Sequence, residues 1–337
     1  MAKDGKSALT MREIVRDASL LSAKRQELDT LRADDNRDWA LNKEFLRGNQ
    51  YAYWPRGADS LVTLGTDEGD KPRWKVRLVS NQLKGGVKQL VAQMTKTRPV
   101  IRAIPNSGSD RDIKSAQMAD SLFEHWWDEF GLRAKLISAL THAQVSQGYW
   151  LISWDALAGS SMKVMIDPES GAPIWDDDFA DIYREQLRAV AEQMGLPPDD
   201  LVKQYEQTVY MGDIRVQVLG GAQVWLDPTV SNFEDAQYAI CKFPLTVDEI
   251  ESRYGKKVAP DASTSDERPT LNYTRGSEAQ RPKNVRDVYC LYHRPSPSLP
   301  GGRYVCWIEE PNEILAQSAW EAPFHHLPLI KFPGIEQ

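Results

Sequence analysis

Apolar residues spaced three and four apart dominate the first 150 positions, and alternation takes over after residue 212. Thr10-Met11-Arg12-Glu13 has capping-box spacing, and Ile14, Leu21, Leu28 and Leu31 continue as the stripe of an amphipathic helix. A second helix is predicted through Trp39 and Leu46, stopped by Gly48. Tyr51, Tyr53, Trp54 and Pro55 break the pattern, and residues 65–72 read as a Gly- and Asp-rich loop. A long helix follows through Val76, Val79, Leu83, Val87, Leu90 and Met94. It ends near Arg98, because Pro99 disfavours helix before it. Gly85-Gly86 interrupts that helix and predicts a close packing contact or a kink.

Val100–Ile104 reads as extended. Ser109 or Asp110 caps the next helix, which carries Leu122, Phe123, Trp126, Trp127 and Phe130 and ends at Gly131. Another helix runs to Gly148. Tyr149–Trp154 is then a strand, with Met162–Ile166 as its expected hairpin partner. Residues 167–206 hold eleven Asp/Glu against Arg184, Arg188 and Lys203, and open with a turn at 167–171. Beyond Gly212, Ile214, Val216 and Val218 alternate with polar residues. Val224-Trp225-Leu226-Asp227-Pro228 and the segment of Tyr238 and Ile240 read as further strands. Thr246-Val247-Asp248-Glu249 is a second capping box, and its helix closes at Tyr254-Gly255.

The pattern implies an α+β fold in four parts. These are an N-terminal helical arm (1–70), an α+β domain (71–255) with a polar helical insertion (167–210), a linker or mobile loop (256–283), and a strand-rich end (284–337). A length of 337 residues fits about two domains. With 21 Gly and 3 Cys in 337 residues the chain is neither collagen-like nor a disulfide scaffold, and 41% hydrophobic residues exclude a wholly disordered chain. No apolar run reaches the roughly 20 residues of a membrane helix, and no signal segment or membrane partner is expected. A net charge of −7 argues against coating nucleic acid by bulk charge. Cys241, Cys290 and Cys306 are scattered and are expected to be reduced thiols.

Phosphate-cradling glycine loops, nucleophile elbows and His-Glu-x-x-His are absent from the sequence. His325-His326 would point to opposite faces of a strand and do not chelate together. Asp176-Asp177-Asp178 reads as a solvated helix start. The rings of Phe123, Trp126, Trp127 and Phe130 read as core. Removing Trp126 or Phe130 is therefore expected to cost roughly 3–5 kcal/mol each. No catalytic residue, cofactor or metal is expected. The informative feature is a basic run: Lys71, Arg73, Lys75, Arg77, Lys84, Lys88, Lys96, Arg98 and Arg102 span 71–104 with no Asp or Glu. Such a run either pairs with the acidic segment elsewhere or meets phosphate. Lys84, Lys88, Lys96 and Arg98 are the candidate nucleic-acid contacts.

Residues 77–105 resemble the early helix, Arg-Pro and following strand of tailed-bacteriophage portal proteins, the head–tail connectors, in their podovirus-like form. Further likenesses follow in the same order: Asp112–Trp127, Gln147–Asp155, Gly212–Val216, Val224–Pro228, Leu245–Gly255 and Leu327–Gly334. The likeness lies in the order and spacing of short segments across 74–335. It implies a helical part packed on short strand pairs (wing-like), then a clip-like strand-rich end at 284–335. It also implies a ring, usually dodecameric, at one capsid vertex. That ring docks the packaging motor (terminase), passes double-stranded DNA, and joins capsid and tail adaptor proteins. The protein would sit in the virion, and in host cytoplasm during assembly, and would not be an enzyme. Portals continue into a stem helix, tunnel loop and crown. This chain stops at Gln337, so a C-terminally truncated relative is expected. Two other functions compete: a nucleic-acid enzyme holding a metal at Asp176, Asp177, Asp178 or Glu309-Glu310, and a non-ring structural adaptor.

Overall fold

A computed structural model describes residues 10–55, 61–63, 79–167, 172–195, 197–260, 284–319 and 326–332. The side chains of Asp177, Asp178, Pro198 and Asp200 are outside that description. So are the loop expected at 65–72, Val76, the cations Lys71 to Arg77, residues 168–171, most of the 256–283 linker and His325.

The fold is α+β with antiparallel sheets. It begins with α1 (Met11–Ile14), α2 (Ala18–Leu31) and α3 (Ala33–Arg47). The predicted capping box is formed, with Thr10 donating from N and Oγ1 to Glu13 Oε2 at 2.8 and 2.9 Å. Those bonds hold the Glu13 carboxyl below its ordinary pKa. Gly48 ends α3 at φ 100°, where a side chain would be strained. The ladder of β1 (Ala52–Tyr53) and β2 (Val62–Thr63) precedes α4 (Gln82–Met94), α5 (Asp110–Glu129) and α6 (Leu132–Val145). Ser109 caps α5, accepting from Asp112 N at 3.2 Å.

The remaining elements are β3 (Gly148–Asp155), β4 (Ser161–Ile166), β5 (Pro173–Ile174), α7 (Asp177–Gln193), α8 (Pro198–Tyr205), β6 (Glu206–Tyr210), β7 (Asp213–Gly220), β8 (Val224–Leu226), β9 (Tyr238–Thr246), α9 (Val247–Tyr254), β10 (Val285–His293), β11 (Arg303–Ile308), β12 (Glu313–Ser318) and β13 (Leu329–Phe332). They fall into two compact units. Residues 1–151 with 217–337 make one, and residues 152–216 make the other.

The first unit is organised by an antiparallel sheet in the order β12-β11-β10-β9-β8. Both faces of β9, β10 and β11 are largely buried, whereas the edge strand β12 ends exposed at Gln317 and Ser318. One face sets Trp225, Ile240, Tyr289, Leu291, Val305 and Trp307 against Ile14, Leu21 and Leu28 of the first two helices and Val15 of the turn between them. The other packs Phe243, Val288 and Ile308 with Ile250, Leu327 and Leu329. Arg25 and Arg32 lie in the same α2 stripe as the leucines. Arg25 makes a two-pronged pair with Glu309 at 2.8 and 3.0 Å, and its guanidinium lies 5.3 Å from the Tyr289 ring. Arg32 donates to the carbonyls of Gly221, Ala222 and Val224 at 2.9, 3.1 and 2.7 Å. Two cations are thus built into the helix–sheet contact.

A three-stranded sheet runs in the order β13-β3-β7. Gly148 starts β3 because a Cβ there would lie 2.0 Å from the Ala139 carbonyl oxygen. In the second unit, β4 pairs with β5 and β6, and Met165, Ala180, Leu187 and Val202 form its small core.

Several expectations are corrected. Cys290 and Cys306 stand opposite each other in the β10–β11 register and are joined as a disulfide. Cys241 lies opposite Cys290 on β9, so folding gathers the scattered cysteines into one row. Cys241 remains a buried thiol, its pKa pushed up by burial. The segment 149–154 does not pair with 162–166 as a hairpin, because β13 pairs with β3 while β5 and β6 pair with β4. Residues 206–210 are a strand rather than part of a helical insertion. The sheet also joins what flanks the expected linker, since β9 pairs with β10. Residues 256–260 are packed: Val258 is buried, and Lys256 donates to Glu313 Oε1 and the Ile314 carbonyl, each at 2.6 Å. Gly85 and Gly86 face open space inside an unbroken helix, so neither a close contact nor a kink explains them. Among the four aromatic rings only Trp127 is buried; Phe123, Trp126 and Phe130 are half-buried.

Candidate nucleic-acid interface

Helix α4 starts at Gln82, after the expected helical residue Val79, because Asn81 caps it. The Asn81 side chain accepts from Lys84 N at 3.0 Å and donates to the Leu46 carbonyl at 3.0 Å. This one side chain fixes the helix start to the end of α3. Val91 is the residue α4 buries, while Leu83 and Met94 are exposed. The apolar stripe read from sequence is therefore rotated partly outward.

Lys84 and Lys88 lie one turn apart on α4, about 6 Å along the axis. Lys88 is exposed and Lys84 half-buried. Lys96 is exposed just beyond the helix end, where a cation complements the dipole. Arg98 is placed differently. Its guanidinium lies 5.2 Å from the Trp127 ring centre, and Nη2 donates to the Glu124 carbonyl at 3.4 Å. It is tethered to α5 rather than grouped with the lysines.

The five cations between 79 and 105 have no acidic neighbours in sequence, and α5 engages this stretch in space at two points. Asp120 Oδ1 accepts from Ala103 N at 2.6 Å, and the Glu124 backbone carbonyl accepts from Arg98 Nη2. The end of the run is thus tied to α5, while α4 and its end present lysines as a group. Sequence spacing missed this because the partners come from the next helix.

The competing metal reading draws on residues with other tasks. Asp176 Oδ1 accepts from Phe179 N at 3.4 Å at the start of α7, as a helix start should. Glu309 is held by Arg25. Among the described residues no group of three or more His, Cys, Asp or Glu is placed to hold a metal ion. No described helix is long and apolar enough to cross a membrane. His293 is buried, its ring stacked on Tyr238 and its Nδ1 2.6 Å from the Arg294 carbonyl oxygen. Burial lowers its pKa, against smaller opposing hydrogen-bond and charge effects.

Compared with known proteins, the chain matches no family model and no curated sequence.

Proposed function

We propose that this chain is a portal-like connector whose copies associate in a ring, twelve in number, around a channel for double-stranded DNA. The observation that carries the reading is the ordered series of portal-like segments from Arg77 to Gly334. In this reading the helical and short-strand portion is wing-like and residues 284–335 are clip-like. The ring stands at a capsid vertex of the virion, after assembly in host cytoplasm. It docks the packaging motor and binds capsid and tail adaptor proteins, and it carries no chemistry of its own.

The electrostatics support passage rather than tight holding. Each phosphate engaged by a cation adds a salt-sensitive binding increment, so a sliding duplex needs few such contacts. The chain is acidic overall, at −7, with its lysines grouped on α4. Lys84, Lys88 and Lys96 are the phosphate-facing cations of this reading. Arg98 takes part less, because Trp127 and Glu124 already engage it.

Electron micrographs of negatively stained protein test the ring, with closed rings around a central hole expected. Single subunits throughout the micromolar range would overturn it. The lysines are tested by the salt dependence of DNA binding. Changing all three to Gln should flatten the slope of log K against log salt by about 0.9 for each phosphate no longer neutralised. An unaltered slope removes them from the interface.

A further inference from the structure

Among the exposed surfaces of the described residues, two have complementary chemistry. The first is the strip Arg98–Ile104. It carries no strand pairing, yet it is held in place: Arg98 lies on Trp127, and Ala103 N bonds to Asp120 Oδ1. The strip therefore runs antiparallel along α5. Its Val100, Ile101 and Ile104 are 54 to 89% exposed. Arg98 and Arg102 are its charges, with no carboxylate in the strip.

The second surface is the outer side of α7. That helix buries Ala180, Leu187 and Ala191 inside its own unit. Phe179, Ile182, Val190 and Met194 follow at intervals of three, eight and four, which places them on one other face of the helix. With Trp175 they are 43 to 66% exposed. Glu185 and Glu192, seven residues apart and both exposed, lie on one flank of that stripe. Exposed apolar side chains gathered on one helix face mark a contact site.

We infer that the outer face of α7 on one copy docks on the Arg98–Ile104 strip of a second copy. Arg102, exposed on the strip, faces Glu185 and Glu192 across an apolar centre, the arrangement of an interface core with a polar rim. Each copy has one of each surface, so the contact is head-to-tail. Repeated around an axis, it closes a ring if the rotation permits. It rests on the ring reading in requiring that copies associate at all, and it names which faces meet.

The test uses two double variants of the full chain, Phe179→Asp/Ile182→Asp and Ile101→Asp/Ile104→Asp, studied by sedimentation velocity. Every altered side chain is more than half exposed, so circular dichroism and melting should match the parent. Each variant alone should be monomeric where the parent is oligomeric. Mixed in equal amounts, they should form a 1:1 dimer that grows no further, since one intact surface of each kind remains. A charge swap supplies a second readout. Arg102→Glu should weaken assembly at least ten-fold, and adding Glu185→Arg/Glu192→Arg should restore it.

Variants that assemble as the parent does overturn the contact and leave the ring reading standing. Variants that dissociate but do not complement each other on mixing also overturn it. So does an arginine variant that loses DNA affinity with its assembly intact, which would give the strip to nucleic acid. A parent that is monomeric at all concentrations overturns both the contact and the ring.

Discussion

In the five-stranded sheet, Val305, Trp307 and Ile308 are fully buried. In helices α4 and α5, Leu83, Met94, Met118 and Leu122 are exposed, and each helix buries a single apolar side chain. The difference is one of partners. The sheet is covered on one face by α1 and α2, and on the other by α9 and the segment of Leu327 and Leu329. On α5 burial is confined to the Trp127 turn, near its C-terminal end. An apolar stripe states that a face wants cover; only the tertiary fold supplies it. In the ring reading, association of copies is the means of covering such faces.

The largest expected effect lies in the sheet. Trp307 stacks on Tyr289 at 5.6 Å and donates from Nε1 to Ser22 Oγ at 3.2 Å. Trp307→Ala should destabilise the protein by about 3–5 kcal/mol in urea unfolding. A loss under about 1 kcal/mol would show that the sheet is not the stabilising centre.

Next is the disulfide, which closes a separation of 16 residues. Cys290→Ala/Cys306→Ala should cost about 3 kcal/mol by loop closure in the unfolded state. Alkylation of denatured, non-reduced protein should label Cys241 alone. Labelling of all three cysteines contradicts the bond.

A smaller effect is expected on α5. Trp126 and Phe130 stack on each other at 6.2 Å but are only half-buried. Trp126→Ala should cost about 1 kcal/mol, because the area it withdraws from water is partial. A cost near 4 kcal/mol would mean that α5 has more cover than its burial at Trp127 alone.

The smallest is a pH effect. Burial holds the His293 pKa below 6.5 in the folded protein. Below pH 6.5 the unfolded chain takes up this proton first, so stability is full above that value and declines as pH falls toward the folded pKa. Urea midpoints at pH 7.5 and 5.5 should differ less in His293→Phe than in the parent. An equal difference removes His293 as a source of the acid sensitivity.

Local signals were legible in the sequence wherever chemistry acts within a few residues. Both Thr-x-x-Glu boxes form, at Thr10 and Thr246, and Gly48 and Gly255 end their helices in the left-handed region. The alternation at Ile214 to Val218 is a strand. Signals that depend on distant partners were not legible. The row Cys241–Cys290–Cys306 arises from strand register, which no spacing in the chain reveals. Arg25 and Arg32 did leave a trace, as cations in the same stripe as Leu21 and Leu28. Their partners, Glu309 and the 221–224 carbonyls, lie nearly 200 residues or more away. For the candidate interface, spacing showed the lysines of α4 but not the α5 partners of Arg98 and Ala103, the Glu124 carbonyl and the Asp120 carboxylate.

The sharpest single test of ring assembly is native mass spectrometry of the full chain at micromolar concentration. One dominant closed oligomer of twelve copies is expected, and it should be lost in the Phe179→Asp/Ile182→Asp variant. A spectrum of monomer and twofold dimer alone would contradict it.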